Sequence, residues 1–195
     1  SRVAGDLHEL GERAGRRNMR VAYEALGWSH VVSDYRDSWE AVRQADHPAL
    51  GLCLDTFHIY SRQTEIDSVA NIPGEKIFLV QIADAPKLSM DPLSWSRHHR
   101  CFPGQGQLDL DQFMEILRQT GYDGPLSLEI FNDQFRAGNA DSVALDGHRS
   151  LIYLNRSPDN KPIPQPNELE HSKEPTGVEF IEFAVGDAEY PRLSA

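Results

Sequence analysis

The chain has 195 residues, 39% of them with apolar side chains, which suffices for one ordinary domain and excludes both global disorder and two large domains. Against 30 Asp and Glu stand 19 Lys and Arg, and the resulting net charge of −11 argues against any grip on polyphosphate, so no nucleic-acid partner is expected. No apolar run approaches the about 20 residues that cross a bilayer, the N-terminus is no signal peptide, and Cys53 and Cys101 form neither a disulfide framework nor a metal knuckle. A cytoplasmic protein with no membrane partner is expected. Ser1, where an initiator Met would stand, points to a piece of a longer polypeptide.

Through residues 1–155 short apolar runs alternate with amphipathic stretches, the rhythm of repeated βα units. In chain order the pattern predicts a helix over 4–17, a strand over 20–24, a helix over about 38–46, a strand over 50–55, a helix over about 65–71 and a strand over 77–81. A helix over 110–120, a strand over 126–129 and a helix over about 141–154 complete the series. The apolar runs are too short for helices and nearly continuous in hydrophobicity, so four parallel strands covered on both faces are expected. Asp109 caps the helix at 110, with Gln112 three residues on, and Gly121 ends it. Residues 156–176, rich in Pro and almost without large apolar side chains, read as a linker. Beyond it, residues 177–185 alternate apolar and polar positions, so 177–195 is expected to hold the first strand of a truncated second domain.

Each of the four runs ends in an oxygen-bearing side chain: Glu24, Asp55, Gln81 and Glu129, spaced 31, 26 and 48 residues apart. In a parallel α/β barrel the C-terminal strand ends form the active-site rim, where these four would converge. Three carboxylates and an amide suit a hard divalent ion such as Mg²⁺ or Mn²⁺, with Co²⁺ tolerated. The plainer alternative is that each acid caps a strand or pairs with a basic neighbour. His58, three residues after Asp55, hangs over the same mouth and suits general acid/base work. Residues 94–106 read as a loop that concentrates hydroxyls and cations, with an Arg fork for an anionic substrate group or, alternatively, a solvated surface. Gly104 and Gly106 read as a turn leading to Asp109, and the adjacent His98 and His99 would point apart rather than ligate together. Trp28 and Phe57 would wall a pocket or pack in the core.

Over residues 1 to about 155, the strand-end acids, the Asp55-x-x-His58 pair and the Pro103-Gly104-x-Gly106 turn resemble the second half of a xylose-isomerase-like TIM barrel, in the superfamily of sugar-phosphate isomerases, epimerases and endonuclease IV. Many members of that superfamily carry a His ligand where this chain has Gln81. With Tyr23-Glu24-Ala25-Leu26, Gln81-Ile82-Ala83-Asp84 and Ser96-Arg97-His98-His99-Arg100, that departure makes the chain more similar to the bacterial 3-dehydroshikimate dehydratase family.

The resemblance implies an α/β fold, the C-terminal half of a (β/α)8 barrel, lacking its N-terminal half and followed by the start of a fused 4-hydroxyphenylpyruvate dioxygenase-like domain. It implies Glu24, Asp55, Gln81 and Glu129 as ligands of Mg, Mn or Co, His58 as catalytic, and Ser96 and Arg100 as substrate-binding. The activity implied is metal-dependent elimination of water from 3-dehydroshikimate, a small anionic hydroxy-ketone, to give protocatechuate in quinate and shikimate breakdown. Two other readings stand beside it. One is a sugar or sugar-phosphate isomerase or epimerase of the same superfamily; the other is a non-catalytic half barrel that associates, as a homo-oligomer, through open sheet edges.

Overall fold

The structure, a computed structural model, describes residues 2–156; the expected linker and the strand at 177–185 lie outside the described residues. Four strands, β1 (Val21–Glu24), β2 (Leu50–Asp55), β3 (Ile77–Ile82) and β4 (Leu126–Leu128), form one sheet in the order β1-β2-β3-β4, with every pair parallel. Together with the helices between them, this is the α/β half-barrel arrangement that the apolar runs predict.

Side chains alternate between two faces along each strand, and in β2 both faces are buried. Leu50, Leu52 and Leu54 of β2 and Val80 and Ile82 of β3 are fully buried in the main core, with Val21, Tyr23, Leu126 and Leu128 packed against it. The alternate positions therefore share the opposite face. That face carries Glu24, Cys53, Asp55, Gln81 and, one residue past β4, Glu129. A register shift keeps this alternation intact: Leu52 pairs with Ile77 and Cys53 with Leu79, so Phe78 is the extra residue. Gly51 makes room for it, since a Cβ there would meet the Phe78 ring and the Lys76 carbonyl, each at 2.6 Å.

The long helices cover the main core with one face each. In α1 (Arg2–Gly15) the buried positions Ala4, Leu7, Gly11 and Ala14 recur every three or four residues, and in α5 (Leu110–Gln119) Leu110, Phe113, Met114, Ile116 and Leu117 are buried. Asp109 accepts from the Gln112 N–H at 3.0 Å, and Gly121 sits at φ 75°, so the start and stop signals of α5 act as the sequence indicates. The helix α2 (Tyr35–Ala45) begins three residues earlier than its pattern suggests, because Asp34 caps it by accepting from the Arg36 N–H. The stretch at 65–71 is a tighter 3₁₀ segment over Asp67–Asn71, and α7 (Ala140–Leu154) closes the described chain.

Three short helices depart from the expected pattern. Two of them, α3 (Thr56–Ser61), directly after β2, and α6 (Asp133–Ala137), five residues past the end of β4, are capped by Asp55 and Asn132. The third, α4 (Pro92–His98), replaces the first half of the expected loop at 94–106: Asp91 caps it, accepting from the Ser94 N–H, and Pro92 opens it with a preset φ. No helix among the described residues is long and apolar enough to cross a membrane.

Candidate active site

The C-terminal ends of the strands gather the acids. Asp55, wholly buried, divides its two oxygens between local and distant partners. Its Oδ1 accepts from the N–H groups of Phe57 and His58 and so starts α3, while Oδ2 takes the Arg100 Nη1 at 2.8 Å. The plainer reading of a strand-end acid, a cap paired to a base, thus holds for Asp55 without removing it from the cluster. Starting α3 also fixes His58, whose Nε2 lies 3.6 Å from Glu24 Oε1 and 3.8 Å from Asp55 Oδ2. One ligand atom from each of Glu24, Asp55 and His58 lies within 4.8 Å of the others.

Glu129 joins the cluster through Arg100 and Gln81. Its Oε2 accepts from Arg100 Nη1 at 2.8 Å and its Oε1 from Gln81 Nε2 at 3.0 Å. The amide oxygen of Gln81, expected to face the carboxylates, instead accepts from the Cys53 thiol at 3.1 Å. Its NH₂ is the end that complements a carboxylate neighbour. All four strand-end residues are therefore near one another, with Gln81 presenting its nitrogen.

Arg100, expected to bind substrate together with Ser96, is taken up by contacts within the protein. Its side chain is fully buried, bonded to Asp55, to the Glu129 carboxylate and carbonyl, and to the Ser96 hydroxyl, which accepts from both Nε and Nη2. Converging carboxylates repel, and a buried counter-charge offsets that repulsion. Buried Ser96 thus anchors Arg100, and the Phe57 and Phe131 rings lie 4.7 and 5.3 Å from the guanidinium carbon.

Charge sets the protonation states. Burial alone would raise the Asp55 carboxyl, but the Arg100 charge and hydrogen bond outweigh it and hold it below the usual carboxylate range. Burial pushes the His58 imidazole down to about 4; the Asp55 charge opposes this, and the Arg100 and Arg97 charges add to it. Glu24 and Glu129 stand beside these two groups, with Arg100 as the buried counter-charge. An oxygen-rich cluster with one imidazole is a donor set suited to a divalent cation, and Glu24, Asp55 and His58 are the residues whose ligand atoms lie close enough to share one. Beside the acids, a cavity of only about 10 Å³, the size of one water, is lined by Ala25, Ser33, Tyr35, Cys53, Asp55, His58 and Ile59.

A family model described as a xylose isomerase-like TIM barrel matches residues 1–154. The chain belongs to that family. This xylose isomerase-like half barrel is 52% identical, over 201 residues, to the 3-dehydroshikimate dehydratase of Pseudomonas putida, covering 98% of this chain and 31% of that protein. It thus spans about a third of that relative's length. Among solved structures, a xylose isomerase-like TIM barrel/4-hydroxyphenylpyruvate dioxygenase fusion protein superposes with a TM-score of 0.76 at 52% identity, over 98% of this chain and 32% of that one. The IOLI protein, in a crystal structure with a zinc atom, superposes with a TM-score of 0.73 at 25% identity, over 78% of this chain and 54% of that one.

Asp84, two residues past β3, is a site-building residue that the apolar pattern does not single out. Buried, it accepts from the N–H groups of Ala85 and Leu108 through Oδ1, and from those of Gly104 and Gly106 through Oδ2. Its own N–H and carbonyl pair with Cys101 at 2.9 and 2.7 Å. On the other side, Asn132 donates to the Arg100 carbonyl at 2.8 Å. Arg100 is thereby held from the ends of both β3 and β4. The sequence signal for Asp84 is the glycine pair at 104 and 106, where a Cβ on Gly106 would lie 2.2 Å from Asp84 Oδ1.

Proposed function

We propose that the protein carrying this chain is a metal-dependent dehydratase that converts 3-dehydroshikimate to protocatechuate and water, in quinate and shikimate breakdown. The observation that carries the reading is the cluster of Glu24, Asp55, Gln81, Glu129 and His58 at the ends of four parallel strands, in a chain half identical to a 3-dehydroshikimate dehydratase. A divalent ion held by Glu24, Asp55, Gln81 and Glu129, such as Mg, Mn or Co, would supply Lewis acidity at the substrate's ketone oxygen.

The reaction removes a proton from carbon conjugated to the ketone and expels a hydroxyl as water, after which the ring is aromatic. His58 supports it as a donor. The Gly27 N–H bonds to its Nδ1 at 3.2 Å, a shorter contact than the 3.4 Å from Arg100 Nη2 to Nε2, which favours the neutral ring with its proton on Nε2, beside Glu24 and Asp55. From there it hydrogen-bonds the substrate oxygen that gains negative charge. Arg100, anchored by Ser96, keeps Asp55 ionised and holds both Asp55 and Glu129 in place.

Incubating the intact protein with 3-dehydroshikimate and following ultraviolet absorbance tests the reading. Protocatechuate should accumulate in step with substrate loss. Turnover of a ketose without any aromatic product would assign the protein to the isomerases and epimerases instead.

A further inference from the structure

We infer that Arg97 receives the substrate's carboxylate at the mouth of the site. The inference rests on the dehydratase reading for the identity of the acid, and on geometry for the residue. Three arginines surround the Phe131 ring, with Arg97, Arg100 and Arg136 at 5.1, 5.3 and 5.6 Å from its centroid. Arg100 is committed to Asp55, Glu129 and Ser96, and Arg136 lies 3.8 Å from Asp133. Arg97 has neither an ion pair nor a hydrogen bond among the described residues.

What holds Arg97 is aromatic: its guanidinium carbon lies 5.1 Å from the Phe131 centroid and 5.8 Å from that of Trp28. Contacts to ring faces steady a guanidinium without using its N–H donors, which leaves its planar fork for a carboxylate. Position supports the same role. Trp28 follows β1, Arg97 sits on α4 after β3, and Phe131 follows β4, so the three come together on the C-terminal side of the sheet. The Trp28 ring stands edge-on to His58 at 4.7 Å. Half-buried Arg97 is therefore one ring away from the acid cluster.

The N–H groups of Gly104 and Gly106, which would otherwise cradle a phosphate, are bonded to Asp84. One unpaired cation without a backbone nest suits a monoanionic carboxylate.

Steady-state kinetics of the intact protein with 3-dehydroshikimate and with its methyl ester test the assignment. In R97Q the KM for the acid should rise about 10–100-fold with kcat nearly unchanged, as loss of a half-exposed ion pair predicts. The ester should not distinguish R97Q from wild type, and R97K should recover part of the loss. An unchanged KM for the acid, or equal effects on acid and ester, would overturn the assignment. Calorimetric binding of protocatechuate and its methyl ester needs no turnover and separates the two claims. An inactive wild type that binds the acid through Arg97 would overturn the dehydratase reading and support Arg97; an active one whose R97Q variant binds the acid as tightly would overturn Arg97 alone.

Discussion

The backbone N–H of Gly27 donates to Nδ1 of His58 across 3.2 Å, and this bond, shorter than the 3.4 Å from Arg100 Nη2 to Nε2, favours the tautomer with its proton on Nε2. Nitrogen-15 NMR of the intact protein at neutral pH should therefore find Nδ1 unprotonated and Nε2 protonated. The reverse tautomer would remove the donor role and make Nε2 a base. The ring's neutrality follows from its burial, which holds the imidazole at about 4.

Asp84 should matter to stability more than its distance from the strand-end acids suggests. Asp84→Ala leaves four backbone N–H groups without their acceptor, which should cost about 2–4 kcal/mol in urea unfolding of the intact protein. Because the segment that loses these bonds begins just past Arg100, the change should also loosen Arg100 and lower activity. Asp84→Asn, which keeps one acceptor oxygen, should fall between. A stability within 0.5 kcal/mol of wild type, about the range of an ordinary surface change, would show that the 101–108 segment is held by other contacts.

Asp34 gives a pH-dependent case. Partial burial would raise its carboxyl, but the side-chain and backbone hydrogen bonds from Arg36, with its charge and a bond from Thr64, outweigh that and lower it from 3.8. A lowered folded value means the unfolded chain binds the proton first, so the contribution is complete above 3.8 and fades as pH falls through the lower folded value. Asp34→Ala should cost about 1 kcal/mol at neutral pH through loss of the α2 cap, the exposed Arg36 pair adding little. In acid the gap to wild type should close. A gap that widens in acid would reverse the sign of the linkage.

The strands and their acids were legible because a parallel strand writes itself as a short apolar run, and the residue that ends it lies at the rim. Glu24, Asp55, Gln81 and Glu129 could be found that way, although the orientation of Gln81 could not, since it depends on Cys53 and Glu129 across the sheet. Helices α3 and α4, of six and seven residues, were hidden because too few turns exist to show a period. The burial of Arg100 was hidden for a different reason. An arginine in a run of polar residues reads as exposed, and only the convergence of Asp55 and Glu129 from distant strands provides the charge that draws it inside. Asp84 was obscure because its partners are backbone N–H groups, most of them 20 or more residues downstream, which leave no side-chain pattern.

Chelation and reloading of the intact protein, read by protocatechuate absorbance with metal content measured in parallel, tests most directly whether the strand-end acids hold an ion that the reaction needs. Metal-stripped protein should lose turnover, and Mg, Mn or Co should restore it together with bound metal. Glu129→Gln should recover neither. Full turnover in protein shown by elemental analysis to be metal-free would contradict a metal-dependent dehydratase built on Glu24, Asp55, Gln81 and Glu129.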